Sequence, residues 1–223
     1  MVRIAAVERR AQDQKPRKAA VTTRARAKQT EVAIAEEAQK GYNLLVVGVA
    51  KITAPDSGFH PDVECVAKGF AGPLAVVAAR GRHLQRPADG RLKILAPFTG
   101  TSVSHQAAEV AVSLARATNV PITALFVSHT GVGDGRTAGA THRQGEAILK
   151  EVVALAERYN TEIRTAVSAG DMAEEAILKE ADGGRYDLIV MGVNRRPGAT
   201  LLFGDVSASL LEKSKASVLL VLI

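Results

Sequence analysis

The chain has no tryptophan, a single cysteine, and aromatic residues at only 4% of its 223 positions. With so few large rings, its core has to be built from Val, Ile, Leu and Ala. The 47% apolar content of a chain this long is enough to bury one large core or two small ones. The lone Cys65 excludes an intrachain disulfide and fits a reducing compartment. Its ordinary reading is a small buried apolar residue. Long apolar runs are missing as well. The opening MVRIAAVERRAQ has no apolar stretch of signal-peptide length. The longest uncharged stretch, residues 117–133, is broken by Asn119, Pro121, Ser128, His129 and Gly131, so no bilayer-spanning segment is predicted. These absences predict a cytoplasmic location.

Acidic residues are scarce in one place only. Residues 1–30 carry nine Lys and Arg against Glu8 and Asp13, a net +7 that leaves −1 for the rest of a chain whose total is +6. The expectation is a neutral folded body with a solvated basic arm at its amino terminus. Positive charge of this kind can meet RNA or anionic lipid. The arm has no aromatic residue on which a base could stack, so nucleic acid is not an expected partner.

A catalytic or metal-binding constellation is also missing. His60, His83, His105, His129 and His142 are scattered without metal-ligand spacing. His105 and Glu109 stand four apart on one helix face, the spacing of an ordinary surface pair. Ser102 and Ser104 read as caps of the helix that follows them. No P-loop occurs, and the glycines from Gly131 to Gly139 read as a loop. The chain is expected not to be an enzyme and to hold no metal of its own.

What is present is a regular alternation from residue 91 onward. Apolar runs rich in β-branched residues fall at Lys93–Pro97, Ile122–Val127, Ile163–Val167, Leu188–Met191 and Ser217–Leu222. Between them, Ala107, Val110, Ala111 and Leu114 make one helical stripe, and Ile148, Val152, Leu155 and Tyr159 make another. Shorter helices are predicted over Met172–Ala181 and Asp205–Lys213. Glycine-rich joins punctuate the pattern. Continuous apolar strands alternating with helices predict an α/β fold, a parallel sheet covered on both faces.

The first part of the chain echoes the end of that unit. Tyr42-Asn-Leu-Leu-Val-Val-Gly48 reads like Tyr186-Asp-Leu-Ile-Val-Met-Gly192. At the same offset Phe59 falls on Phe203, and Leu74–Val77 falls on Val218–Val221. The predicted organisation is a partial repeat over 1–82, with its first strand, first helix and second strand missing, and a complete unit over 91–223.

The complete unit resembles the universal stress protein family. KILAPFTGTSVS, AGDMAEEAIL, YDLIVMG and FGDVSASLLEKSKASVLLV carry the resemblance. It implies five parallel strands in the order 3-2-1-4-5 and, in many members, binding of ATP or AMP. Where the strand order reverses, the strand ends part and leave a crevice. Pro97, Thr99 and Gly100 would line one lip, with Val127 at the next strand end, and Gly192, Asn194 and Arg195 the other. Gly204 and Ser207, at a helix start, would receive phosphate. Magnesium is expected only as a companion of the nucleotide. This sequence departs from the family pattern: Thr99 stands where an acidic residue is usual, Arg195 replaces the second glycine, the loop is one residue shorter, and Asp205 follows Gly204. A carboxylate there opposes a phosphate, and Arg195 and Arg196 can offset it.

The loop GVNRRPGATLLFGD is similar to the cytosolic carboxyl-terminal region of bacterial cation/proton antiporters. That resemblance implies a regulatory domain attached to a membrane antiporter at the inner leaflet. The alternative is a stand-alone tandem universal stress protein that binds ATP or AMP and acts as a homodimer; an ATPase is a more distant reading. In either arrangement the last strand of each unit, Leu74–Ala79 and Val218–Ile223, is an apolar sheet edge that needs covering. The two are expected to meet antiparallel, with Val76 near Leu220, leaving the other side of the partial unit open to a second copy or an upstream segment.

Overall fold

The computed structural model describes residues 2–8, 20–26, 44–49, 52, 59–70, 72–85, 92–128, 135–169, 172–194 and 204–222. In chain order the elements are β1 (Val2–Glu8), β2 (Ala20–Arg26), β3 (Leu44–Val49), α1 (Pro61–Gly69), β4 (Leu74–Ala78), a single turn α2 (Arg82–Gln85), β5 (Ile94–Pro97), α3 (Ser102–Thr118), β6 (Ile122–Ser128), α4 (Gly135–Arg158), β7 (Ile163–Ala169), α5 (Ala173–Gly183), β8 (Leu188–Val193), α6 (Asp205–Lys213) and β9 (Ser217–Leu222). Strands β5, β8 and β9 are short and almost wholly apolar because helices cover both of their faces, whereas the edge strand β7 exposes Arg164 and Thr165. Every residue of β9 is buried.

The α/β expectation holds. Strands β5 to β9 lie in the order β7-β6-β5-β8-β9, which is 3-2-1-4-5 within the unit, and all their pairings are parallel. The sheet does not stop at five strands. It continues as one nine-stranded sheet, β2-β1-β3-β4-β9-β8-β5-β6-β7. The join is the antiparallel pairing of β4 with β9, in which Val76 faces Leu220. Both are fully buried, so the apolar edge expected of each strand is covered by the other.

Two expectations about the amino-terminal segment are corrected. Residues 1–30 do not all form a solvated arm, because Val2–Glu8 and Ala20–Arg26 pair with each other antiparallel. Nor is the far side of β3 open: β1 pairs with it antiparallel, Arg3 opposite Gly48 through Val7 opposite Leu44. The remaining residues of the predicted arm, 1, 9–19 and 27–30, lie outside the described residues. Element bounds repeat at the offset seen in the sequence. Leu44–Val49 and Pro61–Gly69 match Leu188–Val193 and Asp205–Lys213 position for position.

Two apolar clusters sandwich the sheet. On one face Val63 and Val66 of α1, Ile177 of α5, and Leu210 and Leu211 of α6 pack over Leu45, Leu95, Ile189 and Leu220. On the other, Ala107, Ala111 and Val112 of α3 and Leu149 and Val152 of α4 pack over Ile94, Ala96, Val190 and Leu219. Helix α3 carries alanine where it crosses the sheet, which lets it approach closely. Its amino terminus is capped by Thr101, whose Oγ1 accepts from the Ser104 amide at 3.3 Å. Ser102 and Ser104 are therefore not the caps. The Ser104 hydroxyl instead donates back to the Thr101 carbonyl. Helix α4 begins at Gly135, so the expected glycine loop is helical over its second half; residues 129–134 lie outside the described residues.

At the start of β5 a polar knot fastens the end opposite the strand tips. The Lys93 amide donates to Asp187 Oδ2 at 2.9 Å, and Lys93 Nζ donates to the Gly184 carbonyl at 2.6 Å while lying 4.5 Å over the Tyr186 ring. The Tyr186 hydroxyl donates to Glu180 at 3.1 Å, and burial pushes its phenol above the usual range.

Candidate functional site

The geometry at the strand-order reversal follows from which ladders stop early. Strand β5 pairs with β6 along its whole length, from Ile94 opposite Ile122 to Pro97 opposite Leu125. With β8 it pairs at only two positions, Ile94 with Leu188 and Leu95 with Ile189. Beyond Leu95 and Ile189 the two strands part, while β8 stays paired with β9 out to Val193. Among the described residues a crevice therefore opens between the tips of β5 and β8, at the carboxyl ends of the parallel strands.

The two faces of that crevice differ. On the α3 side the chain fills it. A Cβ placed on Gly192 would lie 2.3 Å from the Val103 carbonyl oxygen and 2.7 Å from its carbon. Gly192 is thus the position at which the first turn of α3 presses on β8. Phe98 is buried on this same side, with its ring edge-on to His105 at 4.9 Å. It does not plug the crevice on the other face. There, side-chain alternation sets Pro97 and Val127, both half-buried, on the side of α5 and α6.

Thr99 is exposed, and its hydroxyl lies 3.1 Å from that of Thr101, which ties the lip to the helix cap. Gly100 has a φ of +76°, a conformation glycine adopts freely, and its Cα faces Ile148 of α4. Asn194 is exposed just past β8. Arg195 and Phe203 lie outside the described residues, as does Arg196.

Gly204 is different in kind from Gly192. Its φ of −67° and ψ of 156° are open to any residue, and a Cβ there would meet no described atom within 4 Å. It is the N-cap of α6, and among the described residues no side chain caps that helix. The first-turn amides therefore lack the side-chain acceptor that Thr101 supplies to α3. Asp205, exposed in the first turn, puts a carboxylate beside them. Ser207 is only 5% exposed and so stands inside the helix packing rather than on the rim. Strand alternation thus sets Pro97 and Val127 on the α5 and α6 face of the sheet end, while Gly192 serves helix packing on the other.

Two contacts escaped the sequence reading. His105 pairs with Glu151 of α4 at 2.8 Å, not with Glu109 on its own helix. Arg80, just past β4, holds the far end of α6: its guanidinium donates to the carbonyls of Ser214 and Leu211. Neither has a sequence signature, because both join elements that are remote in the chain. Among the described residues no cluster of His, Cys, Asp and Glu could hold a metal ion, and no helix is long and apolar enough to cross a membrane.

The universal stress protein family model matches residues 90–221. A universal stress protein of Methanocaldococcus jannaschii is 29% identical over 138 residues, which is 58% of this chain and 81% of that one. Among solved structures, a universal stress protein of Archaeoglobus fulgidus matches with a TM-score of 0.54 at 17% identity, over 85% of this chain and 65% of its own. A Pseudomonas aeruginosa protein named for the same family gives 0.52 at 14% identity, over 88% and 69%. At such identities the structural matches establish a shared fold and no more.

Proposed function

The chain belongs to the universal stress protein family, and from that premise we propose that it is a non-catalytic regulatory domain whose crevice takes an adenine nucleotide such as AMP or ATP. The observation that carries the reading is the α6 amino terminus. It lies at the end of the sheet where β5 and β8 have stopped pairing and, among the described residues, has no capping side chain and no atom within 4 Å of a Cβ placed on Gly204. Amides of a helix start are donors for an anionic group, and the helix dipole favours negative charge there. Half-buried Pro97 and Val127 offer an apolar wall for a base, and exposed Thr99 and Asn194 offer polar rims. Arg195 supplies a phosphate partner in this reading, Ser207 supports the helix turn, and magnesium enters only with the nucleotide. The amino-terminal segment, taken as a partial copy of the same unit, binds no nucleotide. Its counterpart of Gly204 is His60, whose amide donates to the Ile52 carbonyl at 2.7 Å.

Titration calorimetry of the full chain with AMP and with ATP, with and without magnesium, tests the reading. Saturable binding is expected that Gly204→Val abolishes while the circular dichroism spectrum stays that of the folded parent, any fall in melting temperature being that of a poorer N-cap. No heat and no thermal shift with either nucleotide at millimolar concentration would refute it.

The finer reading is that this chain is the cytosolic carboxyl-terminal region of a bacterial cation/proton antiporter, resting on the loop GVNRRPGATLLFGD and on the net +7 of residues 1–30. Reading the gene upstream of Met1 decides it. A dozen hydrophobic spans are expected, and a promoter directly before Met1 would favour the stand-alone homodimeric protein.

A further inference from the structure

Helix α6 has nine residues, a length at which an isolated helix is marginal and depends on what holds it. Its inner face is held by Leu210 and Leu211, both buried. Its carboxyl terminus leaves carbonyls without intrahelical partners. The Ser214 amide serves Leu210, at 3.0 Å. The carbonyls of Leu211 and Ser214 are taken by one residue from the other half of the chain, Arg80. A guanidinium at this end satisfies orphan acceptors and opposes the negative pole of the helix at once.

Arg80 is itself locked. Its amide donates to Ser217 Oγ at 3.0 Å, and His83 Nδ1 lies 2.9 Å from the same oxygen. Gly81, at a φ of +52°, makes the turn that lets both residues bracket Ser217. The guanidinium is partly desolvated there, and burial lowers its pKa. Rotation of a loose side chain would not hold two carbonyls; a clip anchored at backbone and side chain can.

We infer that Arg80 is a positioning residue for the candidate site, acting through α6: the amino-terminal segment sets how fully this helix is ordered, and thereby how well its amino-terminal amides are presented. This rests on the nucleotide reading for its ligand arm but not for its helix arm. The clip and Gly204 stand at opposite ends of one helix, about 13 Å apart at 1.5 Å per residue. If the ordered helix is the binding-competent state, ligand affinity scales with its population. By reciprocity a bound anion tightens the junction between the halves.

The test uses the full chain and compares Arg80→Ala, Arg80→Lys and Lys93→Ala, the last at the knot beneath β5. Hydrogen exchange is read across residues 205–213, and AMP is the titrant. Arg80→Ala is expected to speed exchange through Val206–Ala208 as well as the last turn, and to weaken AMP about fivefold or more. Arg80→Lys should recover part of both. Lys93→Ala should lower the melting temperature while leaving α6 exchange and AMP affinity near those of the parent. Exchange that rises only in the last turn, AMP affinity unmoved by Arg80→Ala, or equal effects from Lys93→Ala would overturn the inference. If the parent chain binds no AMP, the nucleotide reading fails, and the exchange pattern alone decides the clip.

Discussion

Gly192 and Gly204 bracket one loop, and the structure gives a reason for glycine only at the first: a Cβ on Gly192 collides with Val103, whereas one on Gly204 meets no described atom within 4 Å. The Gly192→Ala substitution isolates that reason. The added methyl would lie 2.3 Å from the Val103 carbonyl oxygen, 2.5 Å from its Cγ1 and 2.7 Å from its carbonyl carbon. That is about 1 Å inside ordinary van der Waals separation. Two of the three obstacles are backbone, and the helix that owns them is fixed by the Thr101 cap and by buried Ala107 and Ala111. Overpacking of this kind costs about 1–3 kcal/mol, and an immovable obstacle puts it near the upper end. Replacing glycine in a strand returns about 0.5–1 kcal/mol of backbone entropy. The net expectation is a loss of about 2 kcal/mol, or about 4–8 °C in melting temperature for a chain of this size. Urea denaturation followed by circular dichroism measures it, with an unchanged m-value as the sign that the denatured state is not involved. Adding Val103→Ala should recover only a small part, because the carbonyl remains. A loss below about 0.5 kcal/mol, the range of unremarkable surface changes, would refute the close-approach account of Gly192.

Gly204→Ser should do the reverse on stability and the opposite on binding. A serine hydroxyl at this N-cap accepts from a first-turn amide and stabilises the free protein by a few tenths of a kcal/mol. It also occupies a donor that the nucleotide reading assigns to phosphate, so AMP affinity should fall in calorimetry; tighter binding would count against that assignment. The Tyr186 phenol is raised in the folded state by burial, so above about pH 10 the unfolded chain releases a proton that the folded chain keeps. Its contribution is therefore full below about pH 10 and drains as pH rises past it. The destabilisation caused by Tyr186→Phe, compared by thermal melts at pH 8 and pH 11, should shrink at the higher pH. A gap that stays constant or widens would contradict the burial of that phenol.

The strand and helix order of the carboxyl-terminal half was readable because each level of the sequence agrees there. Apolar runs such as Leu188–Met191 are long enough for a strand and too short for a helix, and the stripe through Ala107, Ala111 and Leu114 has one period only. Helix α6 was expected over its observed bounds for the same reason. The edge-to-edge meeting of Val76 and Leu220 was also readable, since two apolar last strands have few other ways to hide. The pairing of β1 and β2 was not. Nine Lys and Arg over residues 1–30 hid two stretches whose alternation is weak, and net charge says nothing about backbone pairing. At the site, the crevice followed from strand order, but the division of its residues between two faces did not. That division depends on α3 coming down on Gly192, a contact between residues 103 and 192 that no local pattern encodes.

The antiparallel join has a further consequence that explains why Arg80 reaches α6 at all. In a parallel continuation of the sheet, the end of β4 would emerge beside the ends of β8 and β9, at the crevice. Because β4 runs against β9, with Leu74 opposite Leu222 and Ala78 opposite Val218, the chain leaving β4 emerges beside the start of β9. Helix α6 runs back from the crevice to that start, so its carboxyl terminus, not its amino terminus, is what Arg80 meets. A cation at that end complements the negative pole of the helix dipole and satisfies carbonyls that the helix itself leaves over. The direction of one strand pairing therefore decides which end of α6 the amino-terminal half meets.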